Sequence, residues 1–201
     1  MARKVFFSFD YDDVMAVNIV RNSNVVRGPD KQLPFSDHSL YEAAKNTPAA
    51  IKRAIDAAII GTSVTVVLNG QMTWSSRWVR YEIAKSLEKG NGFIVVDIAG
   101  VGPTPDRTSG ANPLAFMGAI ADELSTTTKI SVYEFEANQW VPFAMLPSFS
   151  NGDAKYPMAL ISGNYTLAQR FIRSVAWKSL APFFDSMIEA AAKEAGFLQI
   201  T

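Results

Sequence analysis

The sequence predicts an α/β fold with a mainly parallel central sheet. Three observations carry that expectation. Short apolar runs, Lys4–Phe9, Ser63–Leu68 and Gly92–Ile98, alternate with stretches of helical periodicity. The runs are apolar almost throughout, as strands buried on both faces require. Start and stop signals sit at the seams, among them Thr47-Pro48, Gly61, Gly90 and Pro182. Strands alternating with helices pair in parallel through right-handed crossovers.

Taken in order, Lys4–Phe9 reads as a buried strand that ends in acidic residues. Asp10–Asn22 reads as a helix, with Asp10 or Asp12 capping its first N–H groups and Val14, Val17 and Val20 at helical spacing. Asn22–Asp37 is a long polar loop holding Gly28-Pro29 and Pro34, and Ser39–Glu42 has the form of a capping box. Thr47-Pro48 opens a helix whose stripe is Ile51, Ala54, Ile55, Ala58 and Ile59. Ser63–Leu68 is the clearest strand. Ser75–Lys89 is a helix with Val79, Ile83 and Leu87 facing the core and Gly90 closing it. Gly92–Ile98 is a strand, and Ala99–Thr128 is irregular, with a short helix over Leu114–Leu124. Lys129–Phe135 alternates as a strand, Ala137–Gln139 turns, and Trp140–Phe143 returns. Pro147–Pro157 is loop, and Phe171–Trp177 fits strand or helix. Pro182 opens a last helix bearing Phe183, Phe184, Met187, Ile188 and Ala191, ended by Gly196. A single domain spans 1–201, with its core over about 3–140 and an extension over 141–201 that includes the final helix.

Composition narrows the chemistry. The 201 residues carry 19 Lys plus Arg, 19 Asp plus Glu, one His and no Cys. A thiol nucleophile, a disulfide framework, a cysteine zinc site and a multi-histidine metal site are excluded, and no metal site is expected. The neutral balance lacks the basic footprint of a nucleic-acid binder. No run approaches the ~20 apolar residues of a spanning helix, and the apolar start is too short for a signal peptide. The expectation is a cytoplasmic protein without membrane or nucleic-acid partners.

Several motifs have ordinary readings. Gly100-Val101-Gly102-Pro103 follows a strand, but the third glycine of a dinucleotide fingerprint is missing and prolines obstruct a following helix. His38 beside Asp37 reads as a surface loop residue, since a proton relay needs spatial rather than sequential pairing. Asp10, Asp12 and Asp13 are explained by capping and the helix dipole; Leu68-Asn69-Gly70 lacks the acidic residue of a receiver domain. Ligands on parallel sheets sit outside the carboxyl ends of the strands. Interest therefore falls on Phe9–Tyr11, Leu68–Trp74 and the residues after Ile98.

The most informative segment is Trp78-Val79-Arg80-Tyr81-Glu82-Ile83. On a helix Trp78 and Glu82 share a face, beside the stripe of Val79, Ile83 and Leu87, which puts Glu82 at the edge of buried surface. Spacing alone favours an exposed glutamate paired with Lys85 or Arg80.

This segment resembles the tryptophan-to-glutamate motif of TIR domains, and Lys4–Asp13 resembles their first strand and the start of their first helix. The chain is more closely similar to the bacterial TIR-like family of the MTH538 type, which includes the TIR subunit of Thoeris antiphage systems. Val17–Ser23, Thr62–Leu68, Arg77–Ile83 and Ser86–Asn91 support the likeness, which spans about residues 3–140. It implies a flavodoxin-like, three-layer fold with about five strands and a site that processes NAD+ as substrate, with no bound cofactor. Glu82 would face the ribose next to nicotinamide, and Phe9, Asp10, Tyr11, Asn18, Asn69 and Trp74 would line the NAD+ pocket, with Arg21 near the same cleft. The implied product is a cyclic ADP-ribose isomer, an immune signal read by an effector protein, and the enzyme would self-associate. The chain departs from relatives at Gly70-Gln71-Met72, where they carry a small or serine-like residue and an acidic one. A non-enzymatic TIR-like interaction or nucleotide-sensing module is the competing expectation.

Overall fold

The computed structural model describes residues 3–23, 47–102, 108–124, 127–154, 156, 165–171 and 173–196. The three apolar runs form β1 (Val5–Phe9), β2 (Val64–Asn69) and β3 (Gly92–Asp97). They pair in parallel in chain order, with Val5 opposite Val64 and Val64 opposite Gly92. A fourth parallel strand, β9 (Ser174–Ala176), joins β3 from the C-terminal third of the chain. This α/β architecture, a parallel sheet between helical layers, is the flavodoxin-like class expected. The sheet has four strands among the described residues rather than about five, because the run at Lys129–Phe135 belongs to a separate sheet.

The connecting segments begin and end where the local chemistry dictates. Asp10 accepts a hydrogen bond from the Asp12 N–H, opening a 3-10 turn, Tyr11–Asp13, that runs into α1 (Val14–Asn22). Thr47 caps α2 (Pro48–Ile59) by accepting from the Ala50 N–H at 3.2 Å. A 3-10 turn at Thr73–Ser75 precedes α3 (Arg77–Lys89), so that helix starts two residues later than expected. Gly90, at φ +86°, closes it in the left-handed conformation.

Side-chain alternation along the strands defines two cores. Val5, Phe7 and Phe9 pack with Ala16, Val17 and Val20 of α1 and with Phe184, Ile188 and Ala191 of α7 (Phe184–Glu194). Phe6, Val67, Phe93 and Val95 point the other way, onto Ile55 and Ile59 of α2 and Val79, Ile83 and Leu87 of α3. The C-terminal segment thus supplies both a strand and a helix of the main layer. Its 3-10 turn, Ala181–Phe183, leaves Phe183 63 % exposed, not on the buried face of the final helix as the periodicity predicts.

A second, antiparallel sheet covers the α3 side. It contains β4 (Met117–Leu124), β5 (Thr127–Glu136), β6 (Gln139–Pro142), β7 (Phe149–Ser150) and β8 (Tyr165–Thr166). The helix expected at Leu114–Leu124 is therefore a 3-10 turn, Pro113–Phe116, followed by a strand. Its Ala- and Leu-rich composition favours helix locally. The eight-residue register with β5, from Met117 opposite Glu134 to Leu124 opposite Thr127, overrides that preference. Met117 and Ala119 bury toward α3 with Ile130 and Val132. Ala137 and Asn138, at φ 47° and 62°, make the tight turn into β6. The expected loop at Pro147–Pro157 also holds structure: β7 and a helical turn, α4 (Asn151–Ala154), lie there. The ambiguous stretch at Phe171–Trp177 resolves into both kinds. Phe171 follows α5 (Leu167–Arg170), and β9 leads into α6 (Trp177–Leu180).

At the amino edge of the main sheet Gly92 touches α7 directly. A Cβ there would fall 2.1 Å from the Ala191 carbonyl oxygen, and that oxygen belongs to a helix backbone that cannot step aside. Gly92→Ala is therefore expected to cost about 3 kcal/mol by overpacking, read as a lower denaturant midpoint with an unchanged slope. An unchanged midpoint would contradict the close approach.

Candidate active site

The site is built from the alternation of β1. Because Val5, Phe7 and Phe9 face α1 and α7, Ser8 shares the opposite face with Phe6 and points at α3. On α3, Glu82 and Ser86 are one turn apart and meet the sheet. Ser8 Oγ donates to Glu82 Oε2 at 2.6 Å, and Thr65 Oγ1 donates to Ser86 Oγ at 2.7 Å. Glu82 is 1 % exposed and Ser8 is fully buried. Glu82 thus lies inside the fold, deeper than the edge position that its helical spacing predicts.

The ion pairs an exposed Glu82 would make do not form. Arg80 Nη1 donates to Glu134 Oε2 on β5 at 2.8 Å, and Lys85 pairs with Asp56 and Glu88. Burial pushes the Glu82 carboxyl up to about 8. The Ser8 hydrogen bond opposes that rise, and the negative charge of Asp10 adds to it. A buried carboxyl of this kind, near the carboxyl edge of a parallel sheet, is a strong functional signature.

The remaining candidates fall at different depths. Asp10 is half-buried just past β1, and Tyr11 beside it is 44 % exposed. Phe9 is buried in the core on the α1 and α7 side, so its ring faces away from Glu82. Asn18 sits on the exposed face of α1, and Arg21, one turn later, is buried. Asn69, at the end of β2, is buried and donates from Nδ2 to the Gly110 carbonyl at 2.9 Å. Trp74 is half-buried and stacks on Phe116 at 4.9 Å; its carbonyl accepts from Arg80 Nε. Trp78 is half-buried and meets the edge of the Tyr81 ring. Asp37 and His38 lie outside the described residues, as do the loop from Asn24, the capping box at Ser39–Glu42 and Pro103.

Further residues complete the carboxyl edge. Asp13 is 3 % exposed, and its Oδ2 accepts from Thr73 Oγ1 at 3.3 Å. Thr73 Oγ1 in turn accepts from the Gly70 N–H at 2.9 Å. Gly110 lies so close to the Gly70 carbonyl that a Cβ would come within 2.1 Å of it. Ser109 donates to Asp97 at the end of β3. These contacts draw the segment at 108–110 across the strand ends. One sequence signal pointed to Ser8: it is the polar residue in the otherwise apolar run Val5–Phe9. The capping reading does not extend to Asp13, whose side chain makes no cap bond and accepts from Thr73 instead, and Gly110 carries no sequence signal because its partners are distant in the chain.

The Gly100-Val101-Gly102 loop folds against α1. A Cβ on Gly102 would meet Ala16 and Ile19 at ordinary contact distance, and the Val101 N–H closes a turn onto the Ile98 carbonyl. Among the described residues no three Asp, Glu, His or Cys side chains gather as a metal centre requires. A groove of about 300 Å³ lies on the second sheet, with Gly118, Ile120, Tyr133 and Trp140 in its lining. Tyr133 points to the face of β5 opposite Glu134, so this groove faces away from α3 and Glu82. Among the described residues no helix is long and apolar enough to cross a membrane.

A parallel α/β sheet whose Trp–Glu helix follows its second described strand, with the glutamate turned under the first, defines a TIR-like domain. The chain belongs to the TIR-like family of Thoeris ThsB proteins. Residues 6–102 match the family described as "Thoeris protein ThsB, TIR-like domain". The chain is also 38 % identical over 154 residues to the "Putative cyclic ADP-D-ribose synthase ThsB1" of Bacillus cereus (strain MSX-D12), covering 74 % of this chain and 79 % of that protein.

The raised Glu82 carboxyl has a stability consequence. In the unfolded chain it ionises near 4.5 and in the folded chain near 8. Between those values the folded state holds a proton that the unfolded state has lost, so stability falls as pH rises and levels off above 8. Glu82→Gln removes this titration. The variant is expected to be the more stable above pH 5, by a growing margin that reaches a few kcal/mol near pH 8. Thermal melts across pH 5–9 check this; a constant difference would refute the buried, protonated carboxyl.

Proposed function

We propose that this protein cleaves NAD+ at the nicotinamide–ribose bond and closes the ADP-ribose onto itself, giving a cyclic signal in antiphage defence. One observation carries the reading: a buried carboxyl, Glu82, held by a hydroxyl at the carboxyl edge of the sheet, with no cation beside it among the described residues. The likeness to a protein named as a cyclic ADP-D-ribose synthase supplies the substrate and product class.

The chemistry asks little else of the protein. The C1′–N bond breaks with its electron pair going to the pyridinium ring, so nicotinamide leaves neutral and no general acid is needed. Positive charge develops on the ribose as an oxocarbenium ion. Ionised Glu82 set against that ribose stabilises the cation, as carboxylates do in glycoside hydrolysis. A nucleophile from the same molecule then attacks C1′ and loses its proton; attack by water would give linear ADP-ribose. NAD+ is substrate here, and no resident cofactor is invoked.

In this reading Asp10, Tyr11, Asn69 and Trp74 form the rim of the pocket at the ends of β1 and β2. Phe9 backs that rim from the core, and Asn18 and Arg21 stand further along α1. Because Glu82 is 1 % exposed, the ribose meets it only after the carboxyl-edge segments part. The protein would act in the cytoplasm, by self-association, and hand its product to a separate effector. An interaction module without activity would leave a carboxyl inside an apolar core with only the Ser8 hydroxyl to offset its desolvation; a Leu or Gln at 82 would serve packing better.

The test is nicotinamide release from NAD+ by the concentrated full-length chain. Because the ionised carboxylate is the active form, kcat/KM is expected to rise about tenfold per pH unit and flatten above pH 8. Glu82→Gln should lower kcat at least ~100-fold. Full activity in the variant, or no release at any pH, would overturn the proposal.

A further inference from the structure

We propose that Ser8 is a positioning residue for Glu82: its hydroxyl favours the ionised carboxylate and holds it in one orientation, facing the ribose cation. The inference rests on the reading of Glu82 given above and adds to it a residue with no other assigned part in the reaction.

The starting point is an anomaly of packing. Position 8 is fully buried on the α3 side of β1, beside Phe6. A small apolar residue would fill it without a polar group to satisfy. Serine brings a hydroxyl that must find an acceptor, and what it finds is Glu82 Oε2 at 2.6 Å. That length lies in the range of O–H···O⁻ bonds, which are roughly twice as strong as neutral ones. A donor that binds the charged form more tightly than the neutral form shifts the equilibrium toward charge.

No cation among the described residues does this work instead. On α3, Arg80 is turned to Glu134 and Lys85 to Asp56 and Glu88. β2 offers no titratable side chain, since it runs Val64-Thr65-Val66-Val67-Leu68-Asn69. On β3, Asp97 is occupied by the Ala99 N–H and Ser109. Asp10, past the end of β1, acts against ionisation. Ser8 is therefore the group of the described site that favours the carboxylate. By holding Oε2 it also leaves Oε1 as the oxygen that meets the substrate.

The experiment compares wild type, Ser8→Ala, Ser8→Thr and Ser8→Cys, with Glu82→Gln as reference. The Glu82 carboxyl is titrated without NAD+ by infrared difference spectroscopy, its band assigned by its loss in Glu82→Gln. In Ser8→Ala the midpoint is expected to rise by about one to two pH units, the scale of one hydrogen bond to a charged group. Ser8→Thr, which keeps the hydroxyl, should restore it. Ser8→Cys, nearly isosteric with a weak donor, should show the rise even where the alanine variant folds poorly. The kcat/KM profile should move by the same amount, with ~10- to 100-fold less activity at pH 7 and recovery at high pH.

An unmoved carboxyl midpoint with an equal loss of activity at every pH would mean a merely structural serine and overturn the proposal. A shifted midpoint in a chain that releases no nicotinamide even as wild type would overturn the NAD+ reading and the catalytic part of Ser8. A shift shared by titration and kinetics supports both.

Discussion

Everything in this fold leans on α3, a helix with almost no free face. From Val79 to Leu87 only Lys85 is not buried. The main sheet lies on one side, α2 on another and the second sheet on a third. Such a helix cannot use solvent to satisfy its polar groups, so each must be matched to a layer. Arg80 reaches Glu134 of β5, Tyr81 donates to Asp56 of α2, Glu82 accepts from Ser8 of β1, and Ser86 accepts from Thr65 of β2. These four contacts fix how α3 is rotated and how far it slides. Apolar packing alone would tolerate small slips; unmatched buried polar atoms would not.

The same logic explains what could be read from the chain and what could not. The strands and caps of the main layer are local: Thr47-Pro48 and Gly90 act within one turn, and Val5–Phe9 and Val64–Leu68 announce burial by composition alone. The second sheet is not local in that sense. β4 contains Gly118, Ala119, Ile120 and Ala121, a string without strong strand preference, and its assignment comes from pairing with β5. Periodicity correctly set Glu82 beside the core stripe of α3. It could not reveal that the side chain reaches under β1 to Ser8, and that contact with the main sheet turns an edge position into a fully buried one. Phe183 shows the reverse error, since a 3-10 turn rotates it out of the helical stripe.

The carboxyl edge follows a related pattern. Asn69 binds Gly110, Ser109 binds Asp97, and Thr73 joins Asp13 to Gly70. Asn69–Gly110 and Thr73–Asp13 join residues from different crossovers, 41 and 60 positions apart, so no short window of sequence contains both partners. Two of the close approaches require glycine. At Gly70 a Cβ would collide with the Asp13 carboxylate, and at Gly110 with the Gly70 carbonyl. The chain therefore draws its loops over the strand ends by side-chain hydrogen bonds and close backbone approach, and the same contacts close the edge at which the candidate site lies.

On the proposed function, this closure and the protonated state of Glu82 are two aspects of one device. A resting site that buries a neutral carboxyl, with Asp10 nearby and no cation among the described residues, is short of positive charge. NAD+ brings that charge on its pyridinium ring. Placing it beside Glu82 favours ionisation, and by linkage ionisation must strengthen binding of the cation by the same factor. Ser8 sets the starting point of that exchange, because its hydrogen bond offsets part of the burial. Were the carboxylate already ionised in the closed state, no proton would have to leave when substrate enters. Without Ser8, burial and Asp10 would hold the proton more tightly, and substrate would bear the whole cost of removing it. The buried Ser8–Glu82 pair lies between those limits, so binding, ionisation and stabilisation of the ribose cation draw on one electrostatic term.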